Sequence, residues 1–193
     1  RPAVTQGPSS GRAGRYPPGK YGGAPAFERG KKSQKEKLIA QPLLTHPSSL
    51  GGGLTKLGSG VLGLSGANTY TGTTTINEGT LIVGANAPSA ANGALGNASS
   101  AILLGNTSGS SNASLLTNGA FTIGRPVTVQ AGNTGTISIG GTGANSSIFS
   151  GNVTLNKAVT LTADSGGVAT FQTGVISGAG AVTKLGLGTV TLA

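Results

Sequence analysis

The chain has 193 residues and a mass of 18.5 kDa, with 36 glycines, one histidine, no cysteine, methionine or tryptophan, and a formal net charge of +9. Without cysteine it has no disulfide framework, thiolate metal site or thiol nucleophile, and no apolar run approaches the ~20 residues that a membrane-spanning helix needs. A sequence that opens on Arg1 and contains no Met is expected to be a piece of a longer one.

The charge is unevenly placed. Residues 1–50 hold nine Lys/Arg, two Glu and seven of the nine prolines, whereas residues 51–193 hold only Lys56, Arg125, Lys157, Lys184, Glu78 and Asp164 as charged side chains. In the first segment Gly, Pro and Ser interrupt the chain too often for a helix or strand to propagate. It also offers too little apolar surface to offset the entropy of ordering, so residues 1–50 are expected to be a disordered basic tail or linker. A short helix over 30–40 is the alternative, marginal at that length. The segment lacks the apolar stretch of a signal peptide. A basic arm binds nucleic acid by counterion release, but only Tyr16, Tyr21 and Phe27 are available for stacking, and no nucleic-acid partner is expected. GRYPPGKY at 14–21 has the spacing of a phosphate loop, yet Tyr21 stands where Ser or Thr must meet magnesium and two prolines remove N–H donors. It is dismissed.

From residue 51 onward the vocabulary narrows to Gly, Ala, Ser, Thr, Asn, Val, Ile and Leu. Apolar residues come in short bursts, among them Leu62/Leu64, Leu81/Ile82/Val83, Ile102/Leu103/Leu104, Val127/Val129, Ile137/Ile139, Val153/Leu155, Val159/Leu161 and Val190/Leu192. Many alternate with period two, the half-buried strand signature, and none sustains a period of 3.6. Gly, Asn or Ser closes nearly every burst and supplies turns. Only Tyr70, Phe121, Phe149 and Phe171 are large fillers, too few for a wide sandwich core. A narrow stacked core suits this inventory: an all-β chain coiled as a parallel β-helix, each short strand laid over that of the previous coil. At roughly 20–25 residues per coil the region holds about six. Leu57, Leu62, Leu64, Ile76, Leu81 and Val83 are expected inside, and Gly58, Gly60, Gly66, Gly72 and Gly79 at corners.

Internal repetition points the same way. LTKLGSGVLGLS at 54–65 recurs as VTKLGLGTVTLA at 182–193, with Thr55/Thr183, Lys56/Lys184, Leu57/Leu185, Gly58/Gly186, Gly60/Gly188 and Leu64/Leu192 identical. The sequence stops in mid-repeat, again as expected of a fragment.

LTKLGSGVLGLSGANTYTGTTTINEGTLIV at 54–83 closely resembles the autotransporter-associated β-strand repeat of type V secretion passengers and very large bacterial surface proteins. The likeness extends to the partial copy at 182–193, is one of style over 84–181, and is absent from 1–50. It implies a right-handed parallel β-helix exported across an outer membrane, a stalk role, and help in passenger transport. In the parent protein it implies an outer-membrane β-barrel translocator.

Candidate chemistry is sparse. GSGVLG at 58–63 matches G-x-G-x-x-G, but the β-branched, glycine-rich stretch after it will not form the helix that a dinucleotide site requires; turn glycines explain it. Glu78 and Asp164 are 86 positions apart and His46 lies in the tail, so neither paired carboxylates nor a Ser–His–Asp arrangement is expected. No catalytic, cofactor-binding or metal-ligating residue is assigned and no cofactor is expected. Thr69, Thr71, Thr73 and Thr75 alternate, so a strand face would display a threonine row. An ice-binding array would repeat such a pair on successive coils, and only Thr160/Thr162 and Thr189/Thr191 echo it. Sequons at Asn97, Asn106, Asn112, Asn145 and Asn152 are what this composition yields by chance. The expected function is non-enzymatic: a stiff spacer in a secreted or cell-surface bacterial passenger that folds vectorially and assists export. Its expected partners are neighbouring coils and the translocator. The alternative is an adhesin whose Asn/Thr-rich outer faces bind a glycan or host surface.

Overall fold

The computed structural model describes residues 37–39 and 51–193. All belong to the second of two compact units, residues 34–193. The described residues contain seventeen short strands and no helix. Short strands follow from the sequence: β-branched triplets favour extended backbone, and the glycines and asparagines between them end each one.

The strands form three parallel sheets. The first face carries β2 (Leu54–Lys56), β4 (Thr74–Ile76), β6 (Ile102–Leu104), β9 (Val127–Val129), β12 (Val153–Leu155) and β15 (Ile176–Gly178), stacked in chain order. The second carries β1 (Lys37–Ile39), β3 (Val61–Leu64), β5 (Gly79–Val83), β7 (Ala113–Thr117), β10 (Ile137–Gly141), β13 (Val159–Ala163) and β16 (Val182–Leu185). The third carries β8 (Thr122–Ile123), β11 (Ser146–Phe149), β14 (Val168–Phe171) and β17 (Thr189–Leu192). The chain visits the faces in rotation, so each strand pairs with the strand one coil away. This is a β-solenoid of about six coils, as the residue pattern required.

The interior is a set of single-file columns. Ile76, Leu104, Val129 and Leu155 stack along the first face. Leu81, Leu115, Ile139 and Leu161 stack along the second, and Ile123, Phe149 and Phe171 along the third. All are buried. The Phe149 and Phe171 rings lie 4.8 Å apart and nearly parallel, at 11°, because successive coils place identical positions one strand spacing apart. Coils also approach through bare backbone: a Cβ built on Gly140 would meet Thr162 O at 1.8 Å, so only glycine fits there.

Asparagines pin one coil to the next. The side-chain oxygens of Asn86, Asn112 and Asn152 accept from Thr122 N (2.9 Å), Thr136 N (2.7 Å) and Val175 N (2.9 Å), respectively. The sequon residues Asn112 and Asn152 thus have a structural use.

One excursion breaks the rotation. Residues 84–101 lie between β5 and β6 and contain no strand. Only Ala87 reaches the third face, bridging Ile123 in parallel, while Gly93 forms an antiparallel bridge with Asn68. Asn68 Nδ2 donates to Ala94 O (2.6 Å) and Asn97 N to Tyr70 O (2.8 Å). The excursion therefore covers the region after β3, and Ala94, Leu95 and Ala98 become buried core.

Several expectations need correction. Leu57 is 67% exposed: alternation through β2 turns Leu54 and Lys56 inward, so Leu57 falls on the outside of the corner. Leu62 is only partly buried, while Leu64, Ile76, Leu81 and Val83 are buried as expected. The row Thr69, Thr71, Thr73 and Thr75 is not one strand face, since β4 begins only at Thr74 and Thr74 itself points inward. Lys37–Ile39, within the stretch read as tail or short helix, form a strand beside Leu62–Leu64, where an open sheet edge supplies backbone partners that an isolated ten-residue helix lacks. The remainder of residues 1–50, with the 14–21 loop motif and His46, lies outside the described residues. Finally, the two copies of T-K-L-G-x-G sit on different faces. The first runs from β2 to β3, across the first corner, and the second from β16 to β17, across the next. The motif encodes a corner rather than a coil.

The columns predict an asymmetry between adjacent residues. Leu115→Ala, on the inner side of β7, is expected to cost about 2–5 kcal/mol. Leu116→Ala, on the outer side, is expected to cost under about 1 kcal/mol. Urea unfolding of the two variants measures both.

Candidate functional site

Three features of the described residues combine polar chemistry with defined geometry. The first is the Lys56 corner. Gly58, with φ +71°, turns the chain between β2 and β3, and Lys56 is only 6% exposed. Its ammonium fills the corner from within, donating to Leu57 O (3.0 Å), to Gly58 O and, across the coil boundary, to Glu78 O (2.9 Å). Gly79, with φ +74°, stacks on this corner so closely that a Cβ would lie 2.4 Å from both Gly58 O and Gly60 O. Burial pushes the Lys56 pKa down, and the Glu78 carboxylate partly opposes that. A shallow cleft of about 340 Å³ lies over the same corner, lined by Ser59, Glu78, Gly79, Thr80, Asn112 and Ser114.

The second is a buried arginine. Arg125 precedes β9 and is 1% exposed. Its guanidinium reaches back two coils: Nε and Nη2 donate to Ser100 O (3.1 and 2.7 Å), Nη2 also to Ser100 Oγ (3.2 Å), and Nη1 to Leu95 O (2.6 Å) and Thr74 Oγ1 (3.1 Å). Thr74 Oγ1 also hydrogen-bonds the Tyr70 hydroxyl at 3.0 Å. The fixed fork of the guanidinium suits several carbonyls at once. It ties the 84–101 excursion to the stack with neutral acceptors alone. Burial lowers the Arg125 pKa and raises that of Tyr70; for Tyr70, the Thr74 hydrogen bond and the Arg125 charge act in the opposite direction.

The third is an outward hydroxyl column. Thr80, Ser114, Ser138, Thr160 and Thr183 follow one another in register along the second face. The Thr160/Thr162 pair lies on the second face and Thr189/Thr191 on the third, so these pairs do not continue each other.

Two of the motifs weighed from sequence fall at the first of these features and serve it structurally. Residues 58–63 form the first corner and the start of β3. Glu78 stands at the first corner and Asp164 follows β13, three coils on, where its carboxylate accepts from Gly143 N (2.8 Å). Sequence reasoning missed Lys56 and Arg125 as buried groups. The available signals were the alternation from Leu54, which turns Lys56 inward, and a lone arginine in a nearly uncharged stretch.

These features define the chain as a β-solenoid whose corners are closed by glycine and by buried cations bonded to backbone. Residues 54–83 match the passenger-associated-transport-repeat family. Over 128 residues the chain is 38% identical to the Adhesin BmaC autotransporter of Brucella suis biovar 1 (strain 1330), an alignment covering 65% of this chain. The chain spans about 3% of the length of that curated relative. No solved structure matches it. The passenger-associated-transport repeat at 54–83 lies at the residues whose resemblance suggested it.

Two outcomes follow. Lys56→Met is expected to leave the Leu57, Gly58 and Glu78 carbonyls short of a donor and to cost about 1–3 kcal/mol, measured by denaturant unfolding. Tyr70 has a raised folded pKa, so the unfolded chain ionises first and native stability falls as pH rises above the ordinary value of 10.0. The stability of the parent relative to Tyr70→Phe is therefore expected to be constant from pH 7 to 9 and to decline above 10, read from unfolding midpoints at each pH.

Proposed function

We propose that this segment is a stiff, non-catalytic spacer in a secreted or cell-surface passenger of a Gram-negative-type bacterium, and that it assists export by folding coil upon coil. The observation that carries this reading is the unbroken parallel pairing, in which each coil presents the backbone edge on which the next one forms. A coil added outside the cell gains backbone hydrogen bonds and a place in each apolar column, which opposes its return. Few charges and no cysteines suit passage of an extended chain through a pore. The parent protein then carries a translocator, an outer-membrane β-barrel, as the passenger family implies. A non-enzymatic role fits the separation of Glu78 from Asp164 by three coils and the use of the buried cations as backbone donors.

A second reading, adhesion, is favoured by the hydroxyl column on the second face and by the name of the relative. There, Thr80, Ser114, Ser138 and Thr160 would meet a glycan or host surface.

Secretion kinetics test the spacer reading. A passenger carrying this segment ahead of its translocator is expected to reach the cell surface several-fold more slowly when Leu115→Asp and Ile139→Asp break the second-face column, as judged by protease accessibility on intact cells. Equal rates would end the export role. Glycan binding by the unmodified segment, lost on Ser138→Lys and Thr160→Lys with stability unchanged, would replace it with adhesion.

A further inference from the structure

Asparagine amides are thermolabile: the backbone nitrogen of the following residue can attack the side-chain carbon, and a glycine there, with no Cβ, leaves the approach open. Asn-Gly occurs twice in the chain, at Asn92-Gly93 and Asn118-Gly119. Both asparagines are exposed, so neither sequence nor exposure separates them. Their backbones do. Gly93 is buried; its N–H donates to Asn68 O (3.4 Å) and its carbonyl accepts from Asn68 N (3.0 Å) and Gly96 N (3.1 Å). Ala94 N, on the far side, is tied to Asn86 O (2.9 Å). Attack by Gly93 N must break its bridge and turn a packed peptide, where a Cβ would lie 2.5 Å from Pro88 Cδ. Asn118-Gly119 instead opens the bend between β7 and β8. Among the described residues, Gly119 N meets no acceptor and the Asn118 side chain makes no hydrogen bond. Asn118 is held only by long contacts of its own backbone, N to Val83 O (3.3 Å) and O from Asn145 Nδ2 (3.4 Å).

We infer that Asn118-Gly119 is a self-modification site, where the folded chain deamidates through a cyclic imide while Asn92-Gly93 is protected. Gly119 N attacks Asn118 Cγ. The new N–C bond closes the ring, the Cγ–Nδ2 bond breaks, the proton of the attacking nitrogen passes to the departing amine through solvent, and ammonia leaves. One water then opens the imide. Cleavage at Cγ restores the ordinary backbone and leaves aspartate at position 118; cleavage at the backbone carbonyl leaves isoaspartate, whose main chain runs through the side-chain carbon. Water is the sole co-reactant. Either product adds a carboxylate to residues 51–193, which otherwise carry only Glu78 and Asp164. Isoaspartate also adds a methylene to the backbone, directly after the register positions Val83, Thr117 and Gly141. The lengthened segment leads into β8, beside which Phe121 O accepts from Ile148 N (3.0 Å). The change therefore loosens pairing on the third face and spares the first. It rests on local geometry and stands apart from the spacer and adhesion readings.

The test ages the full chain at mildly alkaline pH, which favours loss of the proton from the attacking nitrogen, and follows it by peptide mapping with mass spectrometry and by ammonia release. In the folded chain, position 118 is expected to convert at least about tenfold faster than position 92, a ratio equivalent to about 1.4 kcal/mol of barrier. In denaturant the two rates are expected to converge, because the protection of Asn92 comes from the fold. Asn118→Gln, a change at an exposed side chain that enlarges the ring to be closed, is expected to remove most of the ammonia release; Asn92→Gln is expected to leave it unchanged. Hydrogen exchange in the aged chain is expected to quicken at the 121–123 and 148 amides and to hold steady at 127–129. Equal rates at 92 and 118 in the folded chain would overturn the inference, as would conversion at 118 only after denaturation. A ratio that persists in denaturant would also overturn it, by assigning the difference to local sequence.

Discussion

The distance between successive coils is set by backbone hydrogen bonding between parallel strands, about 4.8 Å, and nearly every other feature of the molecule accommodates that spacing. At such a separation, side chains at equivalent positions touch their counterparts above and below. Interior positions must therefore hold residues that stack well on themselves. Leu81, Leu115, Ile139 and Leu161 do so along one face, and Phe149 and Phe171 stack ring on ring along another. Where the chain bends, the same spacing brings carbonyl oxygens to within contact of the next coil's Cα, and glycine is the residue that fits. The glycine content, which in another context would signal disorder, here follows from close stacking.

Corners raise a second problem, because carbonyls that point inward at a bend have no strand partner. An unpaired buried carbonyl is costly. Lys56 and Arg125 meet that cost from inside the column, each donating to two or more carbonyls, while on the exposed side Asn86, Asn112 and Asn152 accept from backbone N–H groups of the next coil. Nearly all of the few charged or amide side chains in this stretch that are buried are thus spent on backbone. Their chemistry is connective, and that is why a chain with so few charges still places two cations where solvent does not reach them.

The fold was legible because its signals are local and repeated. Period-two bursts closed by glycine or asparagine specified short strands, and the absence of large side chains excluded a wide core. Inner positions on the strands, such as Leu64, Ile76, Leu81 and Val83, followed from alternation. Leu57 did not, because at a corner hydrophobicity and alternation disagree, and alternation governs: the direction of a side chain is fixed by the pleat, while its burial is only a consequence. The threonine row at 69–75 misled for the related reason that a spacing of two has meaning only within a strand. Lys56 and Arg125 were hidden because a charged residue reads as solvated until the acceptors that surround it are known, and most of those acceptors come from residues 22 to 51 positions away.

By itself the sequence determined the class of element, the approximate number of coils and the family of the repeat, since all three are written in short-range periodicity and in one thirty-residue motif. Only the tertiary structure decided which face each strand occupies, that the two copies of the motif turn different corners, and which polar groups are buried. Loop lengths accumulate along the chain, and a shift of a few residues rotates every later strand to another face. Registers between coils are therefore properties of the whole stack and not of any one repeat.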